Sequence, residues 1–594
     1  MAFRPSLVAL ACSAALLPAC SGCGSKGTES ADGAAPTATA TAAATQAAAP
    51  GTPARPGIPS GPVVAAIAYD VPVFEKPSRS SKKLGSLRVG AIVSREEKSA
   101  GTDGCPAPEA GKSGWFRIEP RGYVCVGGEE ATTDVQNPIV RAASVRPDTT
   151  RPLPYMYGFV RAVAPQYLKV PTAEEQQKSE FKLKEHLESY EKHGPGWMKV
   201  VPGANDVALS WLPASPKPST ELGLGQLFGA TADFDPVPFW LVGGRKIPNL
   251  STFKVPPYAI FANRVRRKTG LAFVGAFKGG PEAADRAFAI TTDMRLVPVT
   301  KLKPDTGSPW HGIDIDDKTP LPFAFVRQGC ALRKDKKKSD ECTPFSYRID
   351  GDTVHKDKAL TFRSVVRLTG KAQRVGDKRY REMVGGGYAL ASDLGAIMEP
   401  QEWPKAATSG EKWIEVSILN QTLTLWEGKK PVYATLVATG QDGLGDPKTT
   451  KSTVRGTFRI RNKFVSATMD SNEKSGASGG AAAAEPAGPE KDKGDKPEKG
   501  DKGDKGEEGK TIRRGQNNFE LRDVPYVQYF EGAFALHVAY WHDVFGLARS
   551  HGCVNLAPID GQKLYRWTDP QVPPGWHSVE VNGDKGGTTV VVHE

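Results

Sequence analysis

Apolar residues in this chain fall mainly in short runs that Gly, Pro and Ser turns interrupt, from about residue 62 onward. Runs of this length between turn residues are typical of β-strands. Residues 172–193 differ, because apolar residues recur there at helical spacing after Thr172 and Glu175, which form a capping-box pattern. The pattern predicts a mainly β, multidomain protein with one helix over residues 172–193.

Two stretches have almost no large apolar side chains. Residues 21–62 consist mostly of Ala, Thr, Pro and Gly, and residues 472–510 of Ala, Gly, Pro and repeated Lys-Gly-Asp-Lys elements. Neither composition can bury enough surface to offset the entropy of ordering. We expect the first to be a disordered tether. We expect the second to be a disordered insertion within the last domain, because strand-like sequence lies on both sides of it and long surface loops close at little cost.

The first residues predict export. Arg4 precedes an apolar run, and small residues follow up to Cys20, which is the pattern of a signal peptide over residues 1–20. The end of this segment resembles a bacterial lipobox, in which Cys20 would become the lipidated first residue. Cys23 is a second candidate, and ordinary signal cleavage is the alternative. We therefore expect a protein of the cell envelope that is lipid-anchored to a membrane and faces the periplasm.

The residue after Cys20 indicates which membrane would hold the anchor. Ser21 is not the aspartate that retains many lipoproteins at an inner membrane, so we expect a cell with two membranes to carry the protein at its outer membrane.

Net charge and composition restrict the classes of binding partner and of fold. The formal net charge of +12 suits nucleic acid, anionic membranes or anionic wall polymers. Export argues against nucleic acid. The 63 Gly and 48 Pro residues favour linkers and β-rich domains over a helical bundle.

Five cysteines follow the signal region. Cys105 with Cys125, and Cys330 with Cys342, form two close-spaced pairs that we expect to be disulfides in an exported protein. The lysine-rich loop between the second pair is interpreted as a solvated charge run rather than an anion site. Cys553 is the odd cysteine, and its neighbours must decide whether it is an accident, an intermolecular partner or a nucleophile.

Residues 535–556 contain that cysteine and three of the nine histidines. A thiol must lose its proton to act as a nucleophile, and His537 or His551 could accept it. Gly552 allows close approach of substrate, and backbone N–H groups around Gly552 and Cys553 could stabilise an oxyanion. These groups are sufficient for acyl transfer through a thioester.

The run Ser-His-Gly-Cys-Val-Asn at residues 550–555 resembles the active-site signature of the L,D-transpeptidases of bacterial cell walls. His537 matches the spacing of that family's catalytic histidine, and segments between residues 413 and 460 resemble its opening strands and glycine-centred turn. The resemblance covers residues 411–594. It implies a β-sandwich or barrel catalytic domain with short helices.

The same resemblance implies a role for each matched residue. Cys553 would be the nucleophile and His537 the general base, oriented by a backbone carbonyl, while His551 would support the thiol pocket. Three residues would support the oxyanion site and its loop: Gly552, Ser550 and Asn555. The reaction would join a donor and an acceptor peptidoglycan stem peptide with release of D-alanine, and it would need no metal or organic cofactor.

Two departures from the family pattern stand out. Val538 follows the histidine where glycine is common, and a β-branched residue resists positive φ. Val454 and Arg455 replace the usual proline before the glycine turn. Neither departure removes a reacting atom.

Several alternatives remain open at this stage. A metal site of His537, His542, His551 and Cys553 has suitable ligand types, but it would not need the glycine or the other matched segments. A wall-binding lipoprotein with a decayed site would have no chemical need for both the cysteine and the histidine. His542 is expected to be a structural histidine, with a groove contact as the alternative. Tyr540 and Trp541 either line the substrate groove or pack in the core.

The preceding regions carry less information. Residues 63–130 resemble a bacterial SH3-like domain in their short strands and in the segments Gly114-Trp115-Phe116 and Arg121-Gly122-Tyr123. The resemblance implies a module that binds wall peptide or positions the catalytic domain, and a simple spacer is the alternative. Residues 146–405 are predicted to be β-rich, with no assigned function.

Overall fold

The computed structural model describes residues 58–106, 112–212, 227–228, 235–250, 255–256, 258–327, 343–470, 520–581 and 586–594. Their structure is mainly β, which confirms the predicted fold class. Within these ranges no helix has the length and apolar character needed to cross a bilayer. Most of the predicted N-terminal segments, the insertion, and Cys20, Cys330 and Cys342 lie outside the described residues.

Seven short strands form the N-terminal β module: β1 (Val63–Ala66), β2 (Asp70–Phe74), β3 (Lys83–Arg88), β4 (Ile92–Ser94), β5 (Gly114–Arg117), β6 (Tyr123–Val126) and β7 (Ala131–Thr132). Cys105 and Cys125 are joined by a disulfide, with Cα atoms 5.6 Å apart. Strand β3 pairs with β31 (Ser578–Glu580) near the C terminus. Backbone hydrogen bonds therefore join this module directly to the C-terminal sheet.

The central region begins with α1 (Pro138–Ala142), and its strands are β8 (Met156–Val160), β9 (Ala164–Tyr167), β10 (Phe261–Val265), β11 (Gly270–Lys278), β12 (Ala287–Thr291), β13 (Leu296–Pro298) and β14 (Leu302–Asp305). Their order is β10-β9-β13-β12-β11, with β8 between β11 and β14. A buried apolar cluster that includes Leu271, Phe273 and Val297 fills the core.

The prediction of one continuous helix over residues 172–193 is wrong. The structure has two helices, α2 (Ala173–Ser179) and α3 (Leu183–Trp197). The predicted capping box of Thr172 and Glu175 is present at the start of α2. The break follows from burial, because Glu180 pairs with Arg286 at 2.6 Å and is held in extended backbone.

A second sheet follows, which we call the accessory sheet. Its strands are β16 (Phe323–Val326), β17 (Phe345–Asp350), β18 (Thr353–Ala359), β19 (Val365–Val375), β20 (Lys378–Met383), β21 (Tyr388–Leu390) and β22 (Leu394–Ile397), in the order β18-β17-β21-β20-β19-β16-β22. Gly385, Gly386 and Gly387 all have positive φ in the turn between β20 and β21. The triple glycine is therefore part of a hairpin connection.

The C-terminal region is a sandwich of two sheets. One has the order β15 (Ile313–Asp314), β25 (Lys430–Leu436), β24 (Thr422–Glu427), β23 (Lys412–Ser417), β32 (Thr589–His593), β26 (Gly456–Arg459). The other contains β31, β27 (Asn462–Asp470), β28 (Glu520–Glu531), β29 (Phe534–Val538) and β30 (Val554–Leu556). Two short helices complete the region, α4 (Lys405–Thr408) and α5 (Pro558–Trp567).

Apolar side chains from both sheets form the sandwich core. Ile414 and Leu425 of the first sheet pack in one cluster with Leu536 and Leu556 of the second, and Leu564 of α5 closes it. Strands β27 and β28, which flank the predicted insertion, pair with each other in antiparallel register. Strand β15 comes from residues far upstream and extends the first sheet, so the sandwich includes a segment that precedes it in sequence.

Candidate active site

Two parallel strands bring the predicted nucleophile and base together. In the pairing of β29 with β30, Leu536 is opposite Val554 and His537 is opposite Asn555. Side chains alternate between faces along a strand. Leu536 and Val554 accordingly point into the sandwich core, whereas Ala535 and Cys553 share a cluster on the other face. His537 and Cys553 therefore lie on the same face of neighbouring strands.

The His537 ring is buried and has a fixed orientation. Only 2% of the residue is exposed, its Nδ1 atom lies 3.0 Å from the carbonyl oxygen of Val538, and its ring stacks on Trp541 at 5.8 Å. A carbonyl can only accept, so Nδ1 carries the proton and Nε2 is left as the basic nitrogen. Burial lowers the pKa of His537 from 6.5 to about 4, so the ring is neutral at pH 7.

Cys553 lies immediately before β30 and is half-buried. Its sulfur donates a hydrogen bond to the carbonyl oxygen of Ala533 at 3.5 Å. A thiol that donates a hydrogen bond still holds its proton. The site thus contains a thiol that is hydrogen-bonded to backbone and a neutral histidine.

The loop before the cysteine requires glycine and is braced by serine. Gly552 has φ +126°, and a Cβ there would lie 2.9 Å from Cε1 of Phe534. The Ser550 hydroxyl donates to the carbonyl of Cys553 and accepts the N–H of Gly552 at 3.1 Å. The Ser550 side chain therefore bridges the backbone of Gly552 and Cys553. The Gly552 N–H, in contrast, is already engaged, so an oxyanion role for it requires that bond to open.

Val538 needs no unusual backbone. It lies in β29, is fully buried and pairs with Leu556. Space for its side chain comes from Gly561 in α5, where a Cβ would lie only 2.3 Å from Cγ2 of Val538. The departure from the family pattern is thus matched by a glycine on the helix that covers the strand.

The two aromatic residues expected at the groove have different positions. Tyr540 is 2% exposed and packs on Tyr157 at 4.4 Å, in the cluster shared with the central region. It is therefore a core residue, which was the alternative interpretation. Trp541 is half-buried and stacks on His537, beside the site. His551 is half-buried next to the glycine.

Metal ligation finds no support in the part of the chain that the structure describes. No group of three or more His, Cys, Asp or Glu side chains there could hold an ion. His542 instead lies with its Nε2 atom 3.0 Å from the amide nitrogen position of Asn555. Its ring also packs on Phe545 at 4.9 Å.

Sequence reasoning missed the residues that hold the loop after β29. Asp543 accepts hydrogen bonds from Ser308 and Arg363, which lie outside the sandwich sequence. Arg327 reaches the carbonyl oxygen of Gly546 in the same loop at 3.4 Å. No sequence signal could have found these contacts, because the partners are about 180 residues or more apart.

Comparison with known proteins assigns the C-terminal region. Residues 411–592 match the sequence model of the YkuD family, the L,D-transpeptidase catalytic domain. No curated protein matches the chain.

Solved L,D-transpeptidases are also similar to the chain. A cysteine-to-serine mutant of the Enterococcus faecium enzyme is 19% identical, with 31% of this chain and 49% of that chain covered and a TM-score of 0.18. The catalytic domain of the E. faecium enzyme is 18% identical, with 31% and 98% covered and a TM-score of 0.19. L,D-transpeptidase 3 of Mycobacterium tuberculosis with a faropenem-derived adduct is 14% identical, with 43% and 79% covered and a TM-score of 0.19.

These matches cover only part of the chain. The chain spans about half the length of the first E. faecium structure, and the family match covers the sandwich but neither the N-terminal module nor the central region. Within the sandwich, the match and the His537–Cys553 geometry concern the same residues. Residues 411–592 are a catalytic domain of the L,D-transpeptidase (YkuD) type.

Proposed function

We propose that this protein is a cell-wall L,D-transpeptidase that forms 3→3 cross-links between peptidoglycan stem peptides through a Cys553 thioester. One observation carries the proposal. His537 has a fixed tautomer and pairs with Asn555, two residues after Cys553, and this supports the proposal because both residues lie in a domain that matches the family.

The proposed first step is acylation. His537 Nε2 accepts the thiol proton as the sulfur of Cys553 attacks the carbonyl on the L-centre of the third residue of the donor stem. The bond from this carbonyl to the terminal D-alanine then breaks. The departing amine takes the proton from His537, which leaves a thioester and free D-alanine.

The second step transfers the acyl group. The side-chain amine of an acceptor stem attacks the thioester, its proton passes to His537, and the sulfur leaves and regains a proton. Water as acceptor would make the protein an L,D-carboxypeptidase, and a protein lysine would become attached to the wall. No step needs a metal or an organic cofactor.

Carbapenem acylation tests the nucleophile. Carbapenems acylate the thiol of this family, and a solved relative carries a faropenem-derived adduct. We expect the soluble chain without its first 24 residues to gain the mass of one drug molecule, and Cys553→Ala to gain none. A folded, reduced wild-type protein without an adduct would favour a non-catalytic wall-binding lipoprotein instead.

Tetrapeptide stems then separate the acceptors. Incubation with a disaccharide tetrapeptide should release D-alanine and yield a cross-linked dimer detectable by mass spectrometry. Tripeptide without dimer would identify a carboxypeptidase. Neither product, from a protein that does form the carbapenem adduct, would contradict the stem-peptide substrate.

We further propose that the protein is exported and lipid-anchored at Cys20, facing the periplasm. The apolar run after Arg4 and the lipobox-like residues before Cys20 support this location. Growth with labelled palmitate should label the wild type and not Cys20→Ala. Label retained in Cys20→Ala and lost in Cys23→Ala would move the anchor to Cys23.

A further inference from the structure

His542 makes two hydrogen bonds that determine its tautomer. Its Nδ1 atom accepts the backbone N–H of Val544 at 3.4 Å, and its Nε2 atom lies 3.0 Å from the side-chain amide of Asn555. Burial, followed by the charge of Arg549, lowers the pKa of His542 to about 3, so the ring is neutral. A neutral imidazole has one N–H, which must then be at Nε2.

This tautomer also determines the Asn555 amide. The group that faces a donating Nε2 must be the amide oxygen, and the two ends of an amide are assigned from such bonds rather than seen directly. The opposite end of the Asn555 amide is buried and has no hydrogen-bond partner among the described residues, so the contact with His542 is the one that orients the amide. Asn555 is opposite His537 in the strand pairing. His542 therefore fixes the amide next to the base and two residues after the nucleophile.

Asp543, the next residue, is held from outside the catalytic domain. Its carboxylate accepts hydrogen bonds from both terminal nitrogens of Arg363, at 3.1 and 2.5 Å, and from the Ser308 hydroxyl at 2.5 Å. Arg363 also donates to the backbone carbonyl of Asp543 at 3.3 Å. We call Ser308, Arg363 and Asp543 the Asp543 clamp.

The clamp is itself anchored to the accessory sheet. Arg363 has φ +64°, donates its backbone N–H to Val326 at 2.8 Å, and places its guanidinium over the ring of Trp310. The Ser308 hydroxyl accepts the backbone N–H of Trp310. Only 15% of the Arg363 side chain is exposed. The clamp thus connects strand β16 to the loop that contains His542.

We propose that His542 is a positioning residue for the Cys553–His537 pair and that Ser308 and Arg363 set its place through the Asp543 clamp. This inference rests on the proposed function, because it assigns the accessory sheet a part in the acylation step. The clamp fixes the loop, the loop fixes His542, and His542 fixes the Asn555 amide on β30, the strand that directly follows Cys553. Displacement of reacting groups by about 1 Å can cost roughly 100-fold in rate.

The test compares acylation of matched variants by a carbapenem, with the first-order acylation rate separated from the apparent binding constant. His542→Phe keeps a ring against Phe545 and loses both hydrogen bonds, whereas His542→Gln keeps a donor near the Nε2 position. We expect the first-order rate to fall roughly 10- to 100-fold in His542→Phe, with binding unchanged, and to recover partly in His542→Gln.

The clamp is tested with separate variants, so that the inference can still be tested if His542→Phe does not fold. Arg363→Gln and Asp543→Ala should each lower the acylation rate roughly tenfold, and near-UV circular dichroism should confirm folding. Arg367→Gln, an exposed arginine on the same sheet, is the control and should acylate like wild type.

The outcomes separate the two proposals. A wild-type protein that forms no adduct would contradict the proposed function. Wild-type acylation with unchanged rates in Arg363→Gln and Asp543→Ala would leave that function standing and overturn the inference. Equal losses in His542→Phe and His542→Gln, or a change in binding alone, would also overturn it.

Discussion

Burial sets the chemistry of the individual site residues. His537 and His542 are both neutral because desolvation disfavours the imidazolium, and the Cys553 thiol donates to a carbonyl. In the proposed mechanism the base therefore starts as a neutral imidazole and becomes positively charged when it accepts the proton of Cys553.

The acid limit of activity follows from the base. In the proposed mechanism His537 acts as the base, which it can do only when neutral, and its pKa is lowered to about 4. We expect the acylation rate to hold from pH 7 to 5 and to fall only near pH 4. Adduct formation at short times across this range measures the limit, and a fall centred at the ordinary histidine pKa of about 6.5 would contradict the buried position of His537.

Folding must be measured at each pH in that experiment. A histidine whose folded pKa is below its unfolded value of about 6.5 stabilises the fold above that pH, and this contribution is lost as the pH falls toward the folded pKa. His186, His537 and His577 all have pKa values lowered to about 4 by burial. Circular dichroism therefore separates loss of the base from loss of the fold.

Gly552 gives a second prediction for a single residue. Alanine there would combine φ +126° with a contact of 2.9 Å to Phe534. We expect Gly552→Ala to abolish acylation and to destabilise the protein by about 1–3 kcal/mol. Gly280→Ala is the control, because Gly280 has φ −73° and a Cβ there meets nothing within 4 Å. Normal acylation by Gly552→Ala would show that the loop tolerates a different path.

Local sequence reveals elements well when their partners are close by, and poorly when they are distant. The capping box at Thr172 was predictable from four residues. The break after α2 was not, because Glu180 is pinned by Arg286, more than 100 residues later. Likewise Cys553 and His537 belong to one readable motif, whereas Ser308 and Arg363 reach the same loop only through the fold.

The packing of α5 on β29 yields a prediction about two elements. Gly561→Ala should raise helix propensity by roughly 1 kcal/mol. Its Cβ would, however, lie 2.3 Å from Val538, and overpacking of this kind costs roughly 1–3 kcal/mol. We expect net destabilisation in urea unfolding.

A double-mutant cycle provides the control. Val538→Ala alone should destabilise through a cavity, but it should make Gly561→Ala neutral or stabilising, because the clashing methyl group is gone. Additive effects of the two substitutions would contradict direct contact between the two side chains.

At the scale of the whole molecule, the catalytic sandwich is not bounded by its sequence. Strand β15 extends its first sheet through Ile313 and Ala434, and β3 pairs with β31. Asp523 of β28 is buried and accepts hydrogen bonds from Arg88 of the N-terminal module and Thr292 of the central region. Composition and spacing predicted separate segments, but contain no signal for these pairings.

The isolated segment 411–594 should therefore not behave as an independent domain. Phe545, Leu436 and Ala539 are buried in one cluster with Phe323 and Phe325 of the accessory sheet, and removal of that sheet exposes them. Each large apolar side chain contributes roughly 1.5–3 kcal/mol when buried, and a whole domain is stable by only about 5–15 kcal/mol. Exposure of this one cluster alone would therefore remove a large fraction of the free energy of unfolding. Loss of strand β15 and of the hydrogen bonds to Asp523 would lower it further.

We expect the 411–594 fragment to unfold at a lower temperature than the full chain, to bind a hydrophobic dye and to acylate slowly. A fragment that starts at residue 302 retains β15, the accessory sheet and the Asp543 clamp, and it should recover part of both stability and rate. Thermal unfolding and adduct formation on the three chains measure these effects side by side. If the shorter fragment matched the full chain in both, the upstream regions would be attachments to a self-sufficient domain. The pairing of β15 with β25 and the contacts of β16 and Arg363 with the loop after β29 argue instead that they are part of its structure.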